Sequence, residues 1–282
     1  MLDKDTLSKY IRPLLPIPTV LHQRGLMEER VKCILFDIYG TLFISASGDI
    51  SIAQEQSPKM RELEQLLLNH QIRKTPQTLL QALFQEIERK HAQLRHQGTD
   101  YPEVDIVRIW MHVLNDDHSG RIRKFAAEFE MLINPVYPMP RLREMLSAFR
   151  KRKMLMGIIS NAQFYTPYLF QWFLDSTPEA LGFSPDLTFF SYQFGYAKPS
   201  AFLFHKAADA LEPAGISPHS VLYVGNDMLN DIMPAMKTGF KTALFAGDNR
   251  SLRLREAHAL CKDISPDLVI TDIGQLPDCV KG

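Results

Sequence analysis

At 282 residues the chain is long enough for one large domain or two modest ones around a substantial core. Hydrophobic residues make up 45% and charged residues 23%, which excludes a disordered or fibrous protein. Lys+Arg and Asp+Glu are both 32, so there is no global field to hold a nucleic acid or an anionic membrane, although a local basic pocket for a small anion is compatible with that balance.

Residues 1–30 contain a short helical stretch, Asp3 to Tyr10, followed by Pro13, Pro16 and Pro18, which forbid a continuous helix. This reads as an N-terminal accessory segment packed on the core. Asp3, Lys4 and Asp5 stand where a signal peptide would need apolar residues, and no apolar stretch spans a bilayer. The three cysteines, Cys33, Cys261 and Cys279, form neither a CxxC nor a Cys/His cluster, which suits a reducing compartment. A soluble, cytoplasmic protein is expected.

The stretch Cys33–Leu42 organises the rest. Its apolar run, Cys33-Ile34-Leu35-Phe36, ends in Asp37 and then a Gly40-Thr41 turn, as when a buried parallel strand delivers a carboxylate to the C-terminal edge of its sheet. Ligands and catalytic groups of open α/β sheets collect at that edge. After Thr41 the pattern changes. Met60, Leu63, Leu67, Leu79, Leu83 and Ile87, then Ile106, Ile109, Trp110, Val113 and Leu114, recur at helical spacings. Gly98–Pro102 interrupts this run and Asn134–Pro140 closes it. Residues 43–140 are therefore expected to form a helical insertion.

From Arg141 helices and strands alternate. Helix Arg141–Arg152 precedes strand Leu155–Ser160, helix Tyr165–Leu174 precedes strand Leu187–Ser191, and helix Ser200–Leu211 precedes strand Val221–Val224. Helix Ile232–Gly239, strand Thr242–Phe245 and strand Leu268–Ile270 complete the series. Such alternation gives right-handed crossovers and a doubly wound parallel sheet, an α/β core formed by residues 31–42 and 141–282. Three further strand ends carry polar groups: Ser160-Asn161, the loop Gly195–Pro199 with Lys198, and Gly225-Asn226-Asp227-Met228-Leu229-Asn230-Asp231. Gly247-Asp248 reads as a plain turn. None of the nine histidines lies at a recognised ligand spacing.

In this order the four strand ends resemble the motifs of the haloacid dehalogenase (HAD) superfamily of hydrolases, and residues 43–140 resemble its all-helical first-type cap. The resemblance implies a HAD-like, Rossmann-type core and a small-molecule substrate. It makes Asp37 a nucleophile that forms an aspartyl intermediate. Thr41 and Ser160 would bind the substrate's anionic group, Lys198 would offset the charge on Asp37, and Tyr39, Gly40 and Asn161 would line the substrate. In the superfamily's phosphatases Mg²⁺ lies between the nucleophile, the carbonyl two residues later and a motif-four aspartate. Here those are Asp37, Tyr39, and Asp227 or Asp231. The register of that motif is open, because Asn226 and Asp227 both stand at tolerated spacings from Asp231.

Tyr39 departs from the phosphatase pattern, where an aspartate serves as general acid/base. That contribution is typically worth about 10²–10⁴-fold in rate. Glu103, Asp105 or His112 from the cap would have to supply the proton. Asp-x-Tyr-Gly-Thr resembles motif one of the metal-independent L-2-haloacid dehalogenases. Asp227 and Asp231 beside Asp37, however, would repel one another unless a cation lies between them. The expectation is therefore a Mg²⁺-dependent hydrolase of a small phosphorylated metabolite. A 2-haloacid dehalogenase and a degenerate, ligand-binding HAD-like protein stand as alternatives.

Overall fold

The computed structural model describes residues 2–46 and 57–281, so part of the expected cap, 47–56, lies outside the described residues. Helix α1 (Lys4–Ser8) precedes strand β1 (Cys33–Phe36). Strand β2 (Phe43–Ser45) leads towards helices α2 (Ser57–Asn69), α3 (Pro76–His96), α4 (Ile106–Leu114) and α5 (Ser119–Ile133), and β3 (Val136–Pro138) returns antiparallel to β2. The chain continues through α6 (Leu142–Lys151), β4 (Leu155–Ser160), α7 (Thr166–Leu174), β5 (Phe183–Phe190), α8 (Ser191–Phe194) and α9 (Phe202–Leu211). It ends with β6 (Val221–Gly225), α10 (Met233–Thr238), β7 (Lys241–Phe245), β8 (Leu268–Ile270) and α11 (Leu276–Cys279).

The main sheet has six strands in the order β5-β4-β1-β6-β7-β8, and every pairing is parallel. All four residues of β1 are buried, because helices cover both faces of the sheet. The chain runs from β1 outward to β4 and β5, then back across to β6, which makes the carboxyl end of β1 the switch point where a crevice opens. Asp37 is the first residue past that end.

The alternation expected from Arg141 onward is observed, with shifted boundaries. Strand β5 starts at Phe183 rather than Leu187, because the β4–β5 register slips between Met156 and Ile158 and Phe183 still finds Met156 as a partner. Pro199 does not open the next helix: α9 begins at Phe202, beyond a turn that follows the cis Lys198–Pro199 bond. Asn134–Pro140 does more than end a helical run, since Val136–Pro138 pairs with Phe43–Ser45. This two-stranded ribbon joins the insertion to the core at both of its ends.

The apolar stripe read from the sequence packs as core. Trp110 stands edge-on to Phe125 and Phe129, each at 4.9 Å between ring centroids. The same apolar cluster extends from Leu63, Leu83 and Trp110 to Ile34 and Phe36, so the insertion shares its core with the sheet. The N-terminal segment is equally integrated. Leu7 and Met27 are buried, Arg24 bridges to Val269 along the free edge of β8, and the Tyr10 hydroxyl donates to Glu128 on α5 at 2.8 Å. An unpaired strand edge is thereby covered. Asp248 is buried and its Oδ1 accepts the Ile17 N–H at 3.0 Å, so Gly247-Asp248 is an anchor for that segment rather than a plain turn.

Gly157 in β4 leaves no room for a side chain: a Cβ there would lie 2.4 Å from the Leu187 carbonyl oxygen and 2.7 Å from Leu35 Cδ2. Gly157→Ala is expected to lower unfolding free energy by about 2 kcal/mol or more, as overpacking against backbone does. Urea denaturation measures it.

Candidate active site

Four strand ends meet at one edge. Asp37 is 5% exposed; its Oδ1 accepts the Ser160 hydroxyl at 2.9 Å and Lys198 Nζ at 2.7 Å. Oδ2 is the less committed oxygen, with the Thr41 hydroxyl 3.5 Å away. Lys198 Nζ also donates to Asp231 Oδ1 at 2.6 Å and to the Tyr223 hydroxyl at 3.0 Å. The ammonium therefore sits between two carboxylates. Burial alone would lower the Lys198 pKa, but Asp231 and Asp37 outweigh it and raise it. Burial pushes Asp231 up to about 6, against the pull of Lys198 and with repulsion from Asp37 and Asp227.

Local geometry fixes each group. Gly40 has φ +82°, and a Cβ there would meet Ser251 and the Asn226 amide at 2.6 and 2.7 Å, so only glycine makes the turn after Asp37. Gly225 ends β6 where a Cβ would lie 2.4 Å from Asp231 Cγ. That clearance lets Asp231 Oδ2 accept the Asn226 and Asp227 N–H groups at 2.9 and 3.0 Å. Asn161 clamps the lysine loop, its Oδ1 accepting the Lys198 N–H at 2.7 Å and its Nδ2 donating to the Lys198 carbonyl at 3.1 Å. Asn161 thus holds Lys198 in place and also borders the cleft, where the sequence suggested substrate contact.

Motif four divides its labour in a way the sequence left open. Both oxygens of Asp231 are committed, to Lys198 and Tyr223 on one side and to backbone N–H groups on the other. Asp227 caps the turn Met228–Ile232 through the Leu229 N–H and forms a two-pronged pair with Arg255, at 3.2 and 2.7 Å. Asn226 turns its amide to the site, accepting the Thr41 hydroxyl at 3.1 Å and donating to the Ser251 carbonyl at 2.6 Å.

These contacts bear on the expected Mg²⁺. A site for that ion needs carboxylate oxygens that converge and are free to bind it. Asp37 Oδ1, both oxygens of Asp231 and both of Asp227 already take charged or hydrogen-bond donors, which leaves Asp37 Oδ2 as the least committed carboxylate oxygen of the expected set. The repulsion foreseen among the acids is relieved within the chain, by Lys198 and Arg255.

A cleft of about 650 Å³ opens above Asp37. The core contributes Tyr39, Asn161, Lys198, Asn226 and Arg253; the insertion contributes Ile87, His91, Glu103 and Glu130. The Tyr39 hydroxyl lies 2.9 Å from Thr166 Oγ1, and burial raises its pKa well above the usual phenol. Of the proposed proton donors, only Glu103 borders this cleft. It is held there by the Ser191 hydroxyl at 2.6 Å. Asp105 caps α4 and His112 is 68% exposed beside Glu86, so neither faces Asp37. Tyr223, Arg255 and Glu130 carry no motif signal, since a strand interior, a loop and an insertion helix bring them in from elsewhere in the chain.

A doubly wound parallel sheet, a strand-end aspartate neutralised by a lysine, and a helical insertion over that edge define an α/β protein whose chemistry centres on a carboxylate. The haloacid dehalogenase-like hydrolase family model matches residues 31–239, and the chain belongs to that family. Among solved structures it is similar to a 2-haloacid dehalogenase from Pseudomonas syringae pv. Tomato DC3000 (19% identity, TM-score 0.55, covering 88% of this chain and 97% of that one). It is also similar to the L-2-haloacid dehalogenase from Xanthobacter autotrophicus with chloropropionic acid covalently bound (17%, TM-score 0.50, 88% and 97%). A predicted phosphoglycolate phosphatase from Haemophilus somnus 129pt matches comparably (15%, TM-score 0.50, 89% and 98%). At these identities the likeness establishes the fold. No curated protein matches the chain.

Lys198→Met would leave Asp37 and Asp231 facing each other uncompensated, a loss of about 3–5 kcal/mol. Without the ammonium the Asp231 pKa rises further above its unfolded value, so the folded form keeps its proton to higher pH and the penalty grows as pH climbs through that value. Denaturation at about pH 5 and about pH 8 is expected to show the variant closer to wild type at the lower pH.

Proposed function

We propose that this hydrolase works without a metal, using Asp37 as nucleophile and Lys198 as its fixed counter-charge, on a small organic acid that carries a halide at the neighbouring saturated carbon. The observation that carries the reading is Lys198 Nζ within 2.7 Å of Asp37 and 2.6 Å of Asp231, which neutralises the nucleophile's neighbourhood from inside the chain.

The less committed Oδ2 attacks the substrate carbon and the halide leaves with the bonding pair. Lys198 and the Ser160 hydroxyl hold Oδ1 and so orient the carboxylate for that attack. Water then adds to Cγ of the aspartyl ester, the 2-hydroxy acid departs, and the carboxylate is restored with release of one proton. Halide needs no proton to leave, which suits a site whose second position past the nucleophile is a phenol held by Thr166. Arg253 borders the cleft beside Asn226 and is assigned to the substrate's carboxylate. The L-2-haloacid dehalogenase of similar fold has chloropropionic acid covalently bound, which agrees with an ester intermediate.

The Mg²⁺-dependent phosphatase foreseen from the sequence rested on uncompensated carboxylates, and the pairing of Asp231 and Asp227 with Lys198 and Arg255 removes that ground.

With racemic 2-chloropropionate in oxygen-18 water, the peptide containing Asp37 is expected to gain the label during turnover. Asp37→Asn is expected to lose activity by about 10⁴-fold or more. Halide release with no label in Asp37 would contradict the nucleophile. Absence of halide release, together with Mg²⁺-dependent phosphate release from a phosphomonoester, would restore the phosphatase.

A further inference from the structure

Hydrolysis of an aspartyl ester needs a group to take the proton of the attacking water. Asp37 cannot serve while esterified. Among the described residues five carboxylates border the cleft: Asp37, Glu103, Glu130, Asp227 and Asp231. Asp231 has four N–H or O–H donors on its two oxygens. Asp227 is paired with Arg255. Glu103 fastens the insertion to the core, its Oε1 accepting the Val104 N–H at 2.9 Å and its Oε2 the Ser191 hydroxyl at 2.6 Å. The adjoining chain is strapped to the lysine loop, with the Glu103 N–H donating to the Gly195 carbonyl and the Ala197 N–H to the Tyr101 carbonyl.

Glu130 shares with Glu103 the lack of an ionic partner among the described residues, but its amide hydrogen bond is longer than the two that fix Glu103. It projects from α5 and is held by neutral groups: the Asn134 amide donates to its Oε1 at 3.3 Å, and the Tyr165 hydroxyl hydrogen-bonds to the carboxylate. Neither partner is a cation. Glu130 lines the same cleft as Tyr39 and Asp37.

We propose that Glu130, supplied by the helical insertion, is the general base that deprotonates the water attacking the Asp37 ester. The inference rests on the covalent reading of Asp37 above. In the step, a water O–H bond breaks and its proton passes to the Glu130 carboxylate. The water oxygen bonds to Asp37 Cγ, the carbonyl pair moves onto Oδ1 beside Lys198, and collapse of that oxyanion breaks the Cγ–Oδ2 bond. The departing alkoxide takes the proton back from Glu130 to leave as the hydroxy acid, and the water's second proton passes from the Asp37 carboxyl to solvent. Burial raises the Glu130 pKa above the usual carboxylate range, toward the basicity such a transfer uses.

The proposal makes ester formation independent of Glu130 and ester hydrolysis dependent on it. The test follows the Asp37 peptide by mass spectrometry after mixing with 2-chloropropionate. Glu130→Gln is expected to release about one halide per chain in a burst, accumulate the Asp37 adduct, and turn over about 10²–10⁴-fold more slowly than wild type. Glu130→Asp, which keeps the carboxylate, is expected to shorten the adduct's lifetime towards that of wild type. His91 supplies the competing assignment, because its Nε2 is buried without a hydrogen-bond partner among the described residues and the residue borders the same cleft. Accumulation in His91→Gln but not in Glu130→Gln would overturn the proposal, as would wild-type turnover of Glu130→Gln. If wild type releases halide and Asp37 is never labelled, the covalent reading fails, and the base assignment with it.

Discussion

The ammonium of Lys198 between Asp37 and Asp231 is the contact on which the site depends. Buried carboxylates a few ångströms apart would raise one another's pKa until at least one held a proton, and a protonated aspartate is a poor nucleophile. A lysine within 2.7 Å of both places a positive charge between them at the end of β1. Desolvating three ionic groups costs more than their attraction returns unless hydrogen bonds satisfy the remaining positions. The chain provides those bonds: Ser160 to Asp37, the lysine to the Tyr223 hydroxyl, and two backbone N–H groups to Asp231.

The rest of the architecture serves this arrangement. Parallel β1, β4 and β6 bring Asp37, Ser160 and the Gly225 turn to one edge. Gly225 admits the Asp231 carboxylate against the backbone, and Asn161 grips both backbone polar groups of Lys198. The insertion closes the edge from above and shares a continuous apolar core with the sheet, while Tyr10 on the N-terminal segment reaches Glu128 of α5. Core, insertion and N-terminal segment are thus tied together around the cleft. The insertion contributes the chemically distinct part of the lining, carboxyls without an ionic partner among the described residues, opposite the lysine and arginines of the core.

Much of this was legible in the sequence where the signal is local. The run Cys33–Phe36 ending in Asp37 announced a buried strand and its carboxylate, and the same logic located Ser160, Lys198 and the acidic turn after Val224. Periodicity found the helices of the insertion because Leu63, Leu83, Ile109 and Trp110 face one core. What the sequence could not show is which way a carboxylate turns. Asp227 and Asp231 are four residues apart, yet one is claimed by Arg255, 28 positions on, and the other by Lys198 and Tyr223 from a loop and a strand. Their apparent excess of negative charge suggested a metal because their partners are distant in the chain. The short ribbon of β2 and β3 escaped for a related reason: three-residue strands some ninety positions apart leave no periodic trace, and only pairing defines them.

The central claim is that the counter-charge at Asp37 comes from the protein itself. Calorimetric titration of Mg²⁺ into wild type and into Asp37→Ala tests it most directly, because it needs no knowledge of the substrate. The account predicts no saturable binding at the site and the same trace for both proteins. Saturable binding to wild type that disappears in Asp37→Ala would place a divalent cation beside the nucleophile and contradict it.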